Sequence, residues 1–155
     1  MYRYTYEDIA ERYIDTVYRL ALARAKSSAH AEDVTQDVFL KLLERRQEFE
    51  SEEHLKAWLL RVTINCTNDL FKSSWFRETE QLDENTPAYS SDDNELYTSL
   101  MKLPKKYRTV IHLHYYEGYK IEEIASIIKA RAGTVKSLLS RGRQLLKNIL
   151  DEEVN

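Results

Sequence analysis

Apolar residues in the first half of the chain recur at steps of three and four, the spacing that places them on one face of a helix. Ile9, Tyr13, Val17, Leu20 and Ala21 form the first stripe. Val34, Val38 and Leu42 form the second, with Phe39 and Leu43 beside it. Leu55, Trp58, Leu59, Val62, Cys66 and Leu70 form the third. The segments between them, Lys26–Ala31 and Gln47–Glu53, are short and polar. The pattern predicts helices over 6–25, 31–46 and 53–73. Trp58 and Cys66 lie on the third stripe and are expected in the core.

The periodicity then stops. Residues 78–92 (ETEQLDENTPAYSSD) are acidic, contain Pro87 and Ser90–Ser91, and show almost no apolar repeat. Such a stretch reads as a linker extended by its own charge. Helical spacing resumes with Leu96, Leu100 and Leu103, which mark a short helix ending before Pro104. Pro104 suits the first turn of the next helix, about 104–117, where its missing N–H costs nothing. Gly118 suits the end of that helix, where a positive φ is favoured. Two further helices are predicted, over 121–128 and 133–149, with a break near 129–132.

Composition supports this all-α reading. The chain has 155 residues, 43% hydrophobic and 32% charged, with three Gly and two Pro. So little Gly disfavours phosphate-binding loops and turn-rich β folds. The single cysteine excludes an intramolecular disulfide and argues against a zinc cluster. No apolar run approaches the roughly 18 residues of a membrane span. The polar, acidic N-terminus lacks a leader's apolar core, so a cytoplasmic protein without membrane insertion is expected. The domains expected are 1–76 and 93–155, joined by a flexible acidic linker at 77–92.

Charge separates the two halves. Residues 1–76 carry a net −2 and residues 77–99 a net −6, whereas residues 100–149 carry eleven basic and three acidic side chains, net +8. A basic segment of this kind is the electrostatic footprint of a polyanion-binding surface. Within it, residues 121–146 (IEEIASIIKARAGTVKSLLSRGRQLL) have the form of a helix-turn-helix. Ile124, Ala125 and Ile128 face inward from the first helix, and Val135, Leu138 and Leu139 from the second. Ala125 is small where the helices cross. Thr134, Lys136, Ser137, Ser140, Arg141 and Arg143 are left outward or sideways on the second helix. These side-chain types reach phosphates and base edges, and a recognition helix presents its first turns to the major groove.

The whole chain, over about residues 6–150, resembles an extracytoplasmic-function sigma factor of the sigma-70 family. AEDVTQDVFLKLLE (31–44) is similar to the family's polymerase-binding helix. WLLRVTINCTNDLF (58–71) is similar to its promoter-melting and minus-ten helix. LPKKYRTVIHLHYYEGYKIEEIA (103–125) and GTVKSLLSRGRQLL (133–146) are similar to its minus-thirty-five domain. The ordered set carries the resemblance, more than any one motif.

The resemblance implies core RNA polymerase, promoter DNA and an anti-sigma factor as partners, with no cofactor, metal or catalytic residue. Gln36, Asp37, Phe39 and Leu40 would dock on the polymerase, although Phe39 and Leu40 equally suit internal packing. The loop at 47–54 would capture a flipped non-template base, with Phe49 and Asn65 at the family's positions near that pocket. Asn65 offers a donor and an acceptor to a base edge, or is a solvent-facing amide. Arg61, Asn68 and Lys72 lie along the same helix and would hold the phosphates of the single strand. In the second domain Arg141 and Lys136 are the leading candidates for minus-thirty-five contacts. Lys105, Lys106, Arg108 and Lys120 are backbone clamps or solvated charges.

Three departures from the family pattern stand out. The loop at 50–53 is ESEE, where many relatives place a glycine-containing turn. Lys129 replaces the common turn glycine and must either accept a positive φ or shift the turn. Arg131 stands near the usual serine cap and adds a cation toward DNA. Two other function classes compete: a dimeric helix-turn-helix repressor that binds a palindrome unaided, and an enzyme. The enzyme is disfavoured because His112 and His114 sit two apart on a helix and diverge, as do Glu122 and Glu123.

Overall fold

The structure, a computed structural model, describes residues 3–45, 48–73 and 94–154. The chain divides into two compact units, Met1–Thr86 and Pro87–Asn155. Residues 77–92, expected as the linker, lie outside the described residues. Every regular element described is helical.

The first unit packs three helices against one another: α1 (Tyr6–Ala25), α2 (Ser28–Glu44) and α3 (Glu52–Phe71). Each begins at a hydroxyl cap. Thr5 Oγ1 accepts from Asp8 N at 3.2 Å, Ser27 Oγ from His30 N at 3.4 Å, and Ser51 Oγ from His54 N at 3.1 Å. The second cap moves the start of α2 three residues ahead of the expected 31. The connection is then only Lys26 and Ser27, with Lys26 at φ 64° and its N–H on Leu22 O at 2.9 Å. The first two stripes form the core as the periodicity predicts, and Leu22–Ala25 are buried as well.

The third stripe differs. Leu55, Leu59 and Cys66 are buried, but so are Leu60, Thr63, Ile64 and Thr67, while Trp58, Val62 and Leu70 are half-buried. Two threonines enter the core because each hydroxyl returns a hydrogen bond to its own helix: Thr63 to Leu59 O at 2.7 Å and Thr67 to Ile64 O at 2.8 Å. Their methyl groups then pack as apolar surface.

The second unit contains α4 (Asn94–Met101), α5 (Lys105–Ile111), a π-helical turn (His112–Tyr116), α6 (Ile121–Ile128) and α7 (Ala132–Val154). Pro104 is the N-cap of α5, one place ahead of the expected position. The single helix expected over 104–117 is α5 continued by the π turn, closed where Glu117 N bonds His112 O at 3.2 Å. Gly118 takes φ 73°. Between α6 and α7, Lys129 does accept the left-handed conformation (φ 58°), and its N–H bonds Ala125 O. Ile127 rather than Ile128 is fully buried on α6, and Val135 and Leu139 are buried on α7. Gly142 lets α7 lie directly on α5: a Cβ there would stand 2.9 Å from Ile111 Cδ1 and 3.3 Å from Tyr107 Cβ.

Candidate nucleic-acid interface

On α2 the buried positions Val34, Thr35, Val38, Phe39 and Leu42 leave one face outward. Gln36, Asp37, Leu40 and Leu43 lie on it, and Leu40 and Leu43 are 54% and 56% exposed. Phe39 is not part of this face. Its ring is buried and meets Tyr6 edge-on at 6.4 Å, so it packs the unit and offers no docking surface. Leu43 replaces it as the second exposed apolar residue. It sits three positions after Leu40, and the sequence pattern places it only beside the second stripe.

On α3, Arg61, Asn65, Asn68 and Lys72 recur at steps of four, three and four, which aligns them along one face. Asn65, Asn68 and Lys72 are exposed and Arg61 is half-buried. Asn68 also has an internal duty. Its Oδ1 accepts from Arg24 Nη2 at 2.6 Å, and Arg24 Nε donates to Thr67 Oγ1 at 2.6 Å. Arg24, buried among these groups and 5.6 Å above the Phe71 ring, pins α1 to α3. Sequence reasoning missed Arg24 because an arginine ending an amphipathic helix looks like an ordinary solvated cation.

The loop before α3 is built around Phe49, whose ring is fully buried. Tyr4, His54 and Trp58 surround it, with centroids 5.7, 5.3 and 5.5 Å away. The Arg45 guanidinium lies over it, 4.3 Å from its centroid and 5.1 Å from that of Trp58. Phe49 therefore has no surface for a base to touch; it anchors the loop, contrary to the expected contact. The loop's acidic run is partly neutralised. Glu52 accepts from Tyr13 Oη at 2.6 Å and from Arg12 Nη1. These bonds hold the Glu52 carboxyl below its usual range, that from Tyr13 contributing most. Burial first, and then the Glu52 carboxylate, push Tyr13 up to about 12. Glu50 N donates to His54 Nδ1 at 3.2 Å, closing the turn.

Cys66 lines a groove of 490 Å³ between α2 and α3, beside Asp33, Asp37 and Asp69. Burial raises its thiol pKa, which disfavours a reactive thiolate.

Arg131, just before α7, and Thr134, Lys136, Ser137, Ser140, Arg141 and Arg143 on it are all exposed. Thr134, Ser137 and Arg141 share one face, and Lys136, Ser140 and Arg143 the next. Arg143 Nη1 donates to Tyr115 Oη at 2.9 Å. Among the flanking cations the structure separates what the sequence left open. Lys105, Lys106 and Lys120 are exposed, whereas Arg108 is buried, with its guanidinium on Leu103 O. Burial lowers the Arg108 pKa to about 10, still charged at neutral pH. Arg108 joins α4 to α5 and is no DNA clamp. An apolar groove of 510 Å³ runs between α4 and the later turns of α7, lined by Leu96, Leu100, Ile111, Tyr115, Leu146 and Leu150 among others. Among the described residues no group of three or more His, Cys, Asp or Glu side chains could hold a metal, and no helix is long and apolar enough to cross a membrane.

Residues 9–77 match the family model of sigma-70 region 2, and residues 93–146 that of sigma-70 region 4. The ECF RNA polymerase sigma factor SigW of Bacillus subtilis is 28% identical over 165 residues, spanning 94% of this chain and 88% of that one. SigV of the same organism is 29% identical, spanning 88% and 85%. Among solved structures, the sigma factor RpoE of Bartonella quintana, in complex with the anti-sigma factor NepR, has a TM-score of 0.79 at 25% identity, covering 94% of this chain and 96% of that one. CnrH, in complex with the cytosolic domain of CnrY, shares the fold with a TM-score of 0.70 at 21% identity, covering 95% and 88%. Two region models matched in chain order, together with relatives of one group spanning nearly the whole length, place this protein in the extracytoplasmic-function group of the sigma-70 family.

Proposed function

We propose that the chain docks on core RNA polymerase through α2 and directs it to promoters, reading the minus-thirty-five element as duplex and the minus-ten element as a melted single strand. The observation that carries this reading is the contrast between the two exposed helix faces. α7 presents cations and hydroxyls suited to phosphates and base edges of a duplex. α3 presents two amides and two cations beside a loop fixed by a buried aromatic cluster, an arrangement suited to a separated strand. Gln36, Asp37, Leu40 and Leu43 supply an apolar centre with a polar edge for the polymerase.

RpoE and CnrH are both seen with partner proteins, RpoE's an anti-sigma factor. By that analogy an anti-sigma protein would hold this chain inactive. The groove between α4 and α7 is the surface that suits an apolar helix, with Leu96 and Tyr115 39% and 54% exposed at its mouth.

The test is run-off transcription from a genomic promoter library with bacterial core polymerase, with and without this protein. Discrete new transcripts are expected, and their start sites define both promoter elements. Tight operator binding without polymerase, and no transcripts, would move the reading to a repressor.

A further inference from the structure

Phe49 stands where the family resemblance expects a contact near the flipped base, yet every side of its ring is occupied. Tyr4, His54 and Trp58 pack around it and the Arg45 guanidinium lies over it. A base entering the loop therefore meets a different group. We propose that this group is Arg45, whose guanidinium, seated on the Phe49 and Trp58 rings, is the platform on which an extruded minus-ten base stacks. The inference rests on the loop's reading as the base-capturing pocket and names the residue that does the capturing.

Three observations support it. First, a guanidinium is flat and stacks on aromatic faces through both dispersion and charge. Arginine planes serve as stacking surfaces for splayed bases. Arg45 is half-buried, so part of it stays open while its guanidinium lies 4.3 Å from the Phe49 centroid. Second, its backbone is set by the end of α2, where its N–H bonds Lys41 O at 3.0 Å and Leu42 O at 3.2 Å. The platform is thus anchored at the root by a helix terminus and at the tip by two rings, which lowers the entropy lost on binding. Third, the described residues that follow Arg45 in the loop are rich in carboxylates. Glu48, Glu50 and Glu53 are exposed, and Glu52 is drawn aside by Arg12 and Tyr13. A strand entering the loop needs a cation there, and Arg45 supplies it at the stacking position itself.

A purely internal role, in which Arg45 only props Phe49, predicts a different result. The experiment uses holoenzyme and fork-junction DNA carrying the promoter found by run-off transcription, with each single-stranded minus-ten position made abasic in turn. With the native chain one abasic position is expected to weaken binding about tenfold. Arg45→Ala is expected to weaken binding to the intact fork by about five- to twentyfold, and to reduce the penalty of that abasic position to under about twofold. Arg45→Lys keeps the charge without the plane and should behave like Arg45→Ala. Where Arg45→Ala lowers the melting temperature, Arg45→Leu, which keeps an apolar contact over Phe49 without a plane, carries the same comparison. A full abasic penalty in these variants overturns the role of Arg45 while leaving the pocket reading intact. No abasic penalty with the native chain removes the pocket reading, and the inference with it.

Discussion

The helices α3 and α7 both turn polar residues outward, but they are supported in opposite ways. Behind α3 lies a polar framework: Arg24 bonded to Thr67 and Asn68, Thr63 and Thr67 bonded to their own helix, and Glu52 tied to α1. Behind α7 lie Val135 and Leu139 and the close approach at Gly142, while among the described residues Lys136, Ser137, Ser140 and Arg141 make no side-chain hydrogen bond. The roles proposed for them would account for the contrast. Reading a flipped base costs a few kcal/mol in unstacking, which only a preformed pocket can offset. Reading a duplex draws most of its affinity from phosphates, which tolerates mobile side chains.

The largest expected effect comes from removing that framework. Arg24→Leu leaves Thr67 and Asn68 without their buried cation and should cost about 3 kcal/mol in urea unfolding. Promoter opening should fall steeply while upstream duplex binding stays within about twofold. Equal loss of both activities would show that the units are not supported separately. The matching change in the second unit is Gly142→Leu, which forces side-chain atoms into Ile111 and Tyr107 and should cost about 2 kcal/mol. Gly142→Ala should fall within about 1 kcal/mol of the native chain, because the gain in helix propensity offsets the close contact.

Arg141→Ala comes next. A well-placed arginine contact to a base edge is worth about 1–3 kcal/mol. Upstream binding should weaken about tenfold, and the slope of log affinity against log salt should fall by about one if the contact is to phosphate. Transcription from a premelted template should be unchanged. A defect on that template as large as the one on duplex would erase the division of labour between the helices.

Most of the fold was legible because the stripes of α1, α2 and α7 follow apolar spacing alone. α3 was misread where polar groups enter the core. A threonine that bonds its own helix, or an arginine buried by partners on another helix, leaves no periodic signal. The polar run 26–31 hides the short α1–α2 connection, because a serine before a helical run can be either loop or cap. At the site, the faces of α3 and α7 followed from spacing. That Phe49 is sealed and Phe39 buried did not, since an aromatic residue beside a stripe can turn either way. Arg45 leaves no signal in the sequence for the same reason: the rings it lies against come from positions 49 and 58.

The smallest expected effect tests how rigid the α3 side is. Tyr13 donates to Glu52 across the gap from α1 to the first turn of α3. Glu52 titrates below its usual value, so its contribution is present above the ordinary carboxylate pKa and is lost as the pH falls through the lowered one. Tyr13 is pushed up to about 12, so its contribution is present below its ordinary value of 10.0 and is lost as the pH rises through 12. Between those limits the clamp keeps one protonation state, and promoter opening by the native chain should be flat from about pH 6 to 9 as far as this clamp is concerned. Tyr13→Phe removes one hydrogen bond while Arg12 still holds Glu52, so opening should slow by only about twofold at every pH in that range. Upstream duplex binding should be unaffected. A native pH dependence in this window that Tyr13→Phe abolishes would mean that the clamp moves during opening, and that α3 is less rigid than its buried polar framework implies.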